Sequence, residues 1–270
     1  MGVVNVTPDS FSDGGVWWEP GAAVEHGLAM RDEGADLVDV GGESTRPGAE
    51  RVPEEEELRR VLPVVRELAA AGVLVSIDTM RSGVARSALD SGAIMVNDVS
   101  GGLADPDMLG TIAATGAPFV VMHWRRHSVD MQAHTTYEDV VADVADHLRG
   151  RLEAAVAAGV DAERIALDPG LGFAKTGAHN WQLLAHLDAL HALGQPLMLG
   201  ASRKGFLGTL LADDNGQRPP TERDDATVAT SALAAAAGAW CLRVHEVRGT
   251  ADAVRVVEAW AAAAQGGRDG

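Results

Sequence analysis

The chain is expected to fold as a single-domain α/β protein, a (β/α)8 TIM barrel spanning residues 1–270. Two observations predict this. Eight short apolar runs alternate with helical stretches from end to end. Polar and charged residues recur where those runs stop, the place at which a barrel presents its βα loops. An open doubly wound sheet shares the alternation, but eight units in about 250 residues fit a closed ring better.

The strand candidates are 2–6, 37–41, 73–78, 94–99, 118–123, 165–168, 196–200 and 240–245. Helical patterns between them include 22–33, 54–71, 84–91, 138–158, 181–192 and 225–237. Start signals support several of these. Pro53 precedes four glutamates, and Glu222, Asp224 and Asp225 fall in a first turn, where acids favour the helix dipole. Stop signals are glycines 34, 72, 92, 159 and 238. The acidic run 54–57 reads as a solvated helix face, and 265–270 as a frayed tail. The first run starts abruptly, so trimming or an upstream start is expected.

Composition narrows the function. Aromatic residues make up only 4%, so the core must rest on aliphatic side chains. The one cysteine, Cys241, excludes an internal disulfide framework and fits a reducing, cytoplasmic compartment. No signal peptide is visible, and residue 6 is Val, which argues against myristoylation. The longest uncharged run, 226–242, is broken by Gly238 and reads as helix then strand rather than a membrane span. A net charge of −17 argues against a nucleic-acid partner. An anionic ligand would need a local concentration of Arg and Lys inside an acidic molecule.

The strand ends supply one. Asn5, Thr45, Arg46, Asp78, Asn97, Met122, His123, Asp168, the Ser202-Arg203-Lys204 run, Arg243 and His245 all fall there. Alternation places Arg243, His245 and Cys241 on one face, Ser76 with Asp78, and Met95 with Asn97. Cys241 then lies deep in the barrel as an inert core residue. The inward set divides in two. Asp78, Asn97 and Asp168, with Lys204 as their cation, suit a flat heterocycle with an amidine-like edge. Arg46, Arg243, His245, Thr45 and Asn5 form a shallower rim suited to a diphosphate, with Asn5 able to ligate Mg²⁺. There is no Walker A or dinucleotide motif. The loop 170–175 reads as a tight active-site loop. His123 and His127 lack a third metal ligand, and His26, His147, His186 and His191 are expected at the surface.

These residues stand in longer motifs. Val4-Asn5-Val6-Thr7-Pro8-Asp9-Ser10-Phe11-Ser12-Asp13-Gly14-Gly15 and Gly41-Gly42-Glu43-Ser44-Thr45-Arg46-Pro47-Gly48 resemble the two signatures of the dihydropteroate synthase family. Ser76-Ile77-Asp78-Thr79, Val96-Asn97-Asp98-Val99, Leu167-Asp168-Pro169-Gly170-Leu171-Gly172-Phe173, Gly200-Ala201-Ser202-Arg203-Lys204 and Arg243-Val244-His245 follow in family order. Glu246 stands where the family usually has Asp. The resemblance implies a folate-biosynthesis transferase. It would condense 6-hydroxymethyl-7,8-dihydropterin diphosphate with 4-aminobenzoate to dihydropteroate and diphosphate. Asp78, Asn97, Asp168 and Lys204 would hold the pterin, with Met122 on its ring, and Asn5 would ligate Mg²⁺. Thr45, Arg243 and His245 would bind the diphosphate. Arg46, Pro47, Phe173 and Ser202 would shape the aminobenzoate pocket, and Asp168 with Asp9 would stabilise a pterin-methyl cation. A homodimer through late helices such as 225–237 is also implied. Two rivals remain: a methyltetrahydrofolate:corrinoid methyltransferase on the same fold, and a non-catalytic pterin-binding paralogue.

Overall fold

The structure is a computed structural model that describes residues 1–7, 20–44, 51–125, 135–214 and 216–266. The strands are β1 (Gly2–Asn5), β2 (Val38–Gly41), β3 (Val75–Asp78), β4 (Met95–Asp98), β5 (Phe119–Met122), β6 (Ile165–Asp168), β7 (Met198–Leu199) and β8 (Cys241–Leu242). The helices are α1 (Pro20–Asp32), α2 (Glu54–Ala70), α3 (Ser82–Asp90), α4 (Met108–Thr115), α5 (Val140–Ala157), α6 (Gly177–Ala185), α7 (Leu187–His191), α8 (Gly205–Leu210), α9 (Asp224–Ala236) and α10 (Arg248–Gly266).

Strands β1 to β6 pair in sequence order, and β7 pairs with β8, all in parallel. Two parallel bridges, Leu167↔Leu197 and Gly2↔Val244, join these sheets at both edges and close the ring. Leu167 N–H donates to the Pro196 carbonyl at 2.8 Å, and Val3 N–H to that of Val244 at 3.0 Å. Closure leaves no open sheet edge.

Alternation then sorts the side chains. Val38, Val40, Val75, Ile77, Val96, Phe119, Val121 and Leu167 point out and join the main core beneath the helices. The helices meet them with apolar stripes, such as Val61, Val64, Val65 and Leu68 on α2. Met95, Val120, Ala166, Met198 and Cys241 point in and plug the bottom of the barrel. The inward position of buried Cys241 is as expected, and burial pushes its thiol pKa up, away from reactivity.

Four features depart from the sequence expectation, the first being that Glu57, the last of the acidic run on α2, is fully buried rather than solvated. Strands β7 and β8 are two residues each, because past Leu199 and Leu242 the backbone turns into loops. The helical pattern 181–192 is two helices, divided at His186, whose ψ of 43° leaves the helical region. His147 is not a simple surface residue: it packs edge-on against His123, with ring centroids 4.7 Å apart.

Candidate active site

The upper, C-terminal end of the barrel holds a cavity of about 930 Å³. Asn5, Asn97, Met122, Asp168, Phe173, Ser202, Lys204, Arg243 and His245 all line it, although they come from six different strands or the loops that follow them. Asp78 lies directly behind that wall, bonded to Arg243. Thr45, Arg46, Pro47, Asp9 and His127 fall outside the described residues.

The cavity floor rests on a buried charge chain. Asp39, fully buried on β2, accepts through Oδ2 from Arg243 Nε at 2.6 Å and from Asn97 Nδ2 at 2.9 Å. Arg243 Nη2 reaches on to Asp78 Oδ2 at 2.7 Å. This corrects one expectation. Arg243 is not a shallow rim cation but a floor residue clamped between two carboxylates, because the closed ring sets β8 against β1 and so near β2 and β3. Burial raises the Asp78 pKa, with Arg243 opposing and Asp39 adding to the rise. Burial works against the Arg243 charge too, but Asp39 and Asp78 outweigh it and push its pKa further up. Asp39 Oδ1, Ser76 Oγ and Asn97 Oδ1 have no hydrogen-bond partner among the described residues. Each such buried acceptor costs on the order of 1–3 kcal/mol unless a donor reaches it.

A second group surrounds Asp168. Its Oδ1 accepts from the Gly170 N–H at 2.7 Å, and burial raises its pKa against that bond and the pull of Lys204. The loop that follows wraps around an ammonium. Lys175 Nζ donates to the carbonyls of Gly170 (2.9 Å) and Phe173 (3.0 Å) and contacts His123 Nδ1 at 2.9 Å. Burial lowers the Lys175 pKa to about 7 and also depresses that of His123, with Lys175 adding to the His123 fall. His123 thus commits Nδ1 to Lys175, while His127 lies outside the described residues. Wrapping this tightly needs glycine. At Gly170 (φ 67°) a Cβ would sit 2.5 Å from the His123 carbonyl, and at Gly172 (φ 79°) 2.9 Å from the Lys204 stem. The loop thereby sets the Phe173 ring 4.1 Å from Lys204 Nζ. Phe173 also joins Met80, Val99 and Met122 in an apolar wall.

The third group lies on the β7–α8 turn. Ser202 Oγ is 2.9 Å from His245 Nδ1 and accepts the His245 backbone N–H at 3.1 Å. Arg203, at φ 58°, also borders the cavity and commits its guanidinium to a two-pronged ion pair with Asp224 at 2.7 and 2.8 Å. That turn leaves Ser202 and Lys204 facing the cavity. Past the end of β2 and outside the cavity lining, Glu43 accepts from Arg51 Nε, the Val52 N–H and Arg81, and Arg81 also pairs with buried Glu57.

Sequence reasoning found ten of these residues but missed Asp39, Lys175 and the Glu43–Arg81–Glu57 brace. Asp39 was visible as a lone carboxylate between two valines, sharing a face with Gly41. A charge there must find a buried partner.

The geometry has close counterparts. The family model described as "Pterin binding enzyme" matches residues 1–245. Over 262 residues the chain is 58% identical to dihydropteroate synthase of Mycobacterium leprae, covering 96% of this chain and 92% of the relative. To the Escherichia coli K12 dihydropteroate synthase it is 43% identical, covering 96% of this chain and 90% of the relative. Xanthomonas albilineans dihydropteroate synthase solved with 4-aminobenzoic acid superposes with a TM-score of 0.90 at 48% identity, covering 97% of this chain and 92% of that one. The Yersinia pestis enzyme in a sulfonamide complex gives 0.91 at 43% identity, covering 97% and 94%. By family match, identity and fold together, the chain belongs to the dihydropteroate synthase family of pterin-binding transferases.

Proposed function

We propose that this cavity joins a pterin-methyl diphosphate to 4-aminobenzoate by ionising the carbon–oxygen bond before the amine attacks. The observation that carries the reading is the layering of one cavity: buried acceptors at its base, Lys204 and the Phe173 ring at mid-height, Ser202 and His245 beyond. Asp78, Asn97 and Asp168 take the N–H donors of the pterin edge, and Lys204 takes an acceptor on the same ring. Met122 and Phe173 pack on its faces. His245 and Thr45 hold the diphosphate as its charge grows, above a floor that Arg243 braces through Asp39 and Asp78. The carboxylate of Asp168, with Asp9, stabilises the carbon left positive. Arg46, Pro47, Phe173 and Ser202 seat the aminobenzoate. Related enzymes are solved with 4-aminobenzoic acid, with a sulfonamide drug and with 7,8-dihydropteroate, which supports a cavity that takes ligands of these kinds.

The residues fit Mg²⁺ as a cation carried in with the diphosphate. Asn5 offers a neutral amide oxygen at the cavity wall, and the described residues contain no cluster of three or more His, Cys, Asp or Glu that would fix a metal alone. When bound, the ion would neutralise leaving-group charge. The working form is a cytoplasmic homodimer with small-molecule substrates only. No helix among the described residues is long and apolar enough to cross a membrane.

Diphosphate release with both substrates and Mg²⁺ tests the reading. Release that depends on 4-aminobenzoate, and is competed by sulfonamides, is expected. Pterin binding without release would leave the non-catalytic paralogue. Methyl transfer from methyltetrahydrofolate to a corrinoid would leave the methyltransferase.

A further inference from the structure

The chain has twenty arginines but only two lysines, Lys175 and Lys204, and both line the same cavity. Their surroundings differ. Every proton of the Lys175 ammonium is engaged, by two carbonyls and the His123 ring. Lys204 Nζ has no hydrogen-bond acceptor among the described residues; it sits over the Phe173 ring. Its stem is pinned against the backbone of Gly172, where even a methyl group would clash, so the amine projects into the cavity. The third amine, at Met1, donates to the Leu242 carbonyl at 3.0 Å at the other end of the barrel.

We propose that Lys204 is a covalent-capture site for planar heteroaromatic aldehydes, taking them as an imine while the ring seats in the cavity. The ammonium releases one proton to solvent, the Nζ lone pair attacks the carbonyl carbon, the two remaining amine hydrogens leave with the carbonyl oxygen as water, and a proton taken back from solvent leaves a protonated imine. Burial lowers the Lys204 pKa to about 8, against the pull of Asp168 and with Arg243 adding to the fall, so an appreciable share of the amine is neutral near neutral pH. The product cation takes the place of the ammonium beside Asp168, so the local charge balance is kept. Lys175 is the internal control, since freeing its amine breaks three bonds in the loop core. The choice of ring rests on the pterin reading above; the availability of the amine does not.

The test treats the full chain with 6-formylpterin, then with cyanoborohydride, which delivers hydride to the imine carbon and fixes it as a secondary amine. Intact mass and peptide mapping locate the adduct, and calorimetry without reductant measures reversible binding. One adduct per chain is expected, on Lys204, suppressed by an excess of pteroate. Lys204→Arg, which keeps the charge, should abolish it, whereas Lys175 of the wild-type chain should stay unmodified in the peptide map. Adduct on Lys175 or the Met1 amine at comparable yield overturns the proposal. Reversible binding without adduct overturns it while leaving the pterin site intact. Neither binding nor adduct overturns both.

Discussion

Lys175 shows how much one residue can organise. Its three partners lie on the loop that carries Phe173 and on the end of β5, so the ammonium is the hub on which that loop turns. A buried cation without a carboxylate in direct contact is costly, and the depressed pKa of about 7 expresses that cost. The sign follows from linkage. Below that value the group is charged in both folded and unfolded chains, and its penalty is constant. Above it, up to the ordinary lysine value, the unfolded chain holds a proton that the folded chain has shed, so stability rises with pH. Burial keeps His123 and His147 neutral, whereas Lys204, depressed to about 8 and coupled to Lys175, titrates in the same range and adds a slope of its own to both proteins compared. Urea unfolding of wild type and Lys175→Met should therefore give a stability difference that grows in favour of wild type above neutral pH, by up to about 1.4 kcal/mol per pH unit. A flat difference would show that the amine is not held below its ordinary value. Arg243 makes the opposite case, a cation well supplied with carboxylates. Arg243→Met strands Asp39 and Asp78, and a loss of about 3–5 kcal/mol is expected in the same assay.

The elements explain what could be read from the chain and what could not. Strands were legible because buried parallel strands are runs of Val, Ile and Leu, and their ends were legible because a barrel gathers its polar residues there. The inward positions of Ser76, Met95 and Cys241 followed from alternation alone. Partners were not legible. That Arg243 would pair with Asp39, 204 residues away, depends on ring closure between β8 and β1, which no local pattern announces. Similarly, His147 looked like a surface position, because helical periodicity could not show that the end of β5 would bring His123 against it. The β6–α6 loop lies between these extremes. Its two glycines signalled a tight turn, but the lysine inside it was needed to explain the tightness. Gly170→Ala puts a side chain at φ 67° and 2.5 Å from a backbone oxygen that cannot swing aside. The left-handed conformation alone costs about 1–2 kcal/mol. A lowered melting temperature together with weakened pterin binding is expected. Gly150→Ala, on the exposed face of α5 and away from the cavity, where a Cβ meets nothing within 4 Å, should leave pterin binding unchanged and raise the melting temperature slightly.

On the scale of the whole molecule the issue is what the barrel leaves uncovered. Most of its apolar surface is satisfied by strand–helix packing, yet the last two helices are not fully used. Leu233 on α9 is 74% exposed, and Val256 and Trp260 on α10 are 62% and 79% exposed. Val256 and Trp260 are four residues apart and so share one face. Along α9 and α10 the small residues Ala229, Ala232, Ala236, Ala259 and Ala263 would let another helix approach closely. Exposed apolar faces of this kind mark association surfaces, and a second copy of the chain is the occupant proposed above. A net charge of −17 works against bringing two copies together, so the proposed contact would rest on apolar burial rather than on charge. Two consequences follow. Added salt should tighten the dimer by screening like charge. Leu233→Glu combined with Trp260→Glu should give monomers in sedimentation equilibrium while pterin binding is retained, because neither residue lines the cavity. A dimer that persists in this double variant would move the interface off α9 and α10. A wild-type chain that stays monomeric at high salt would rule out association through this face.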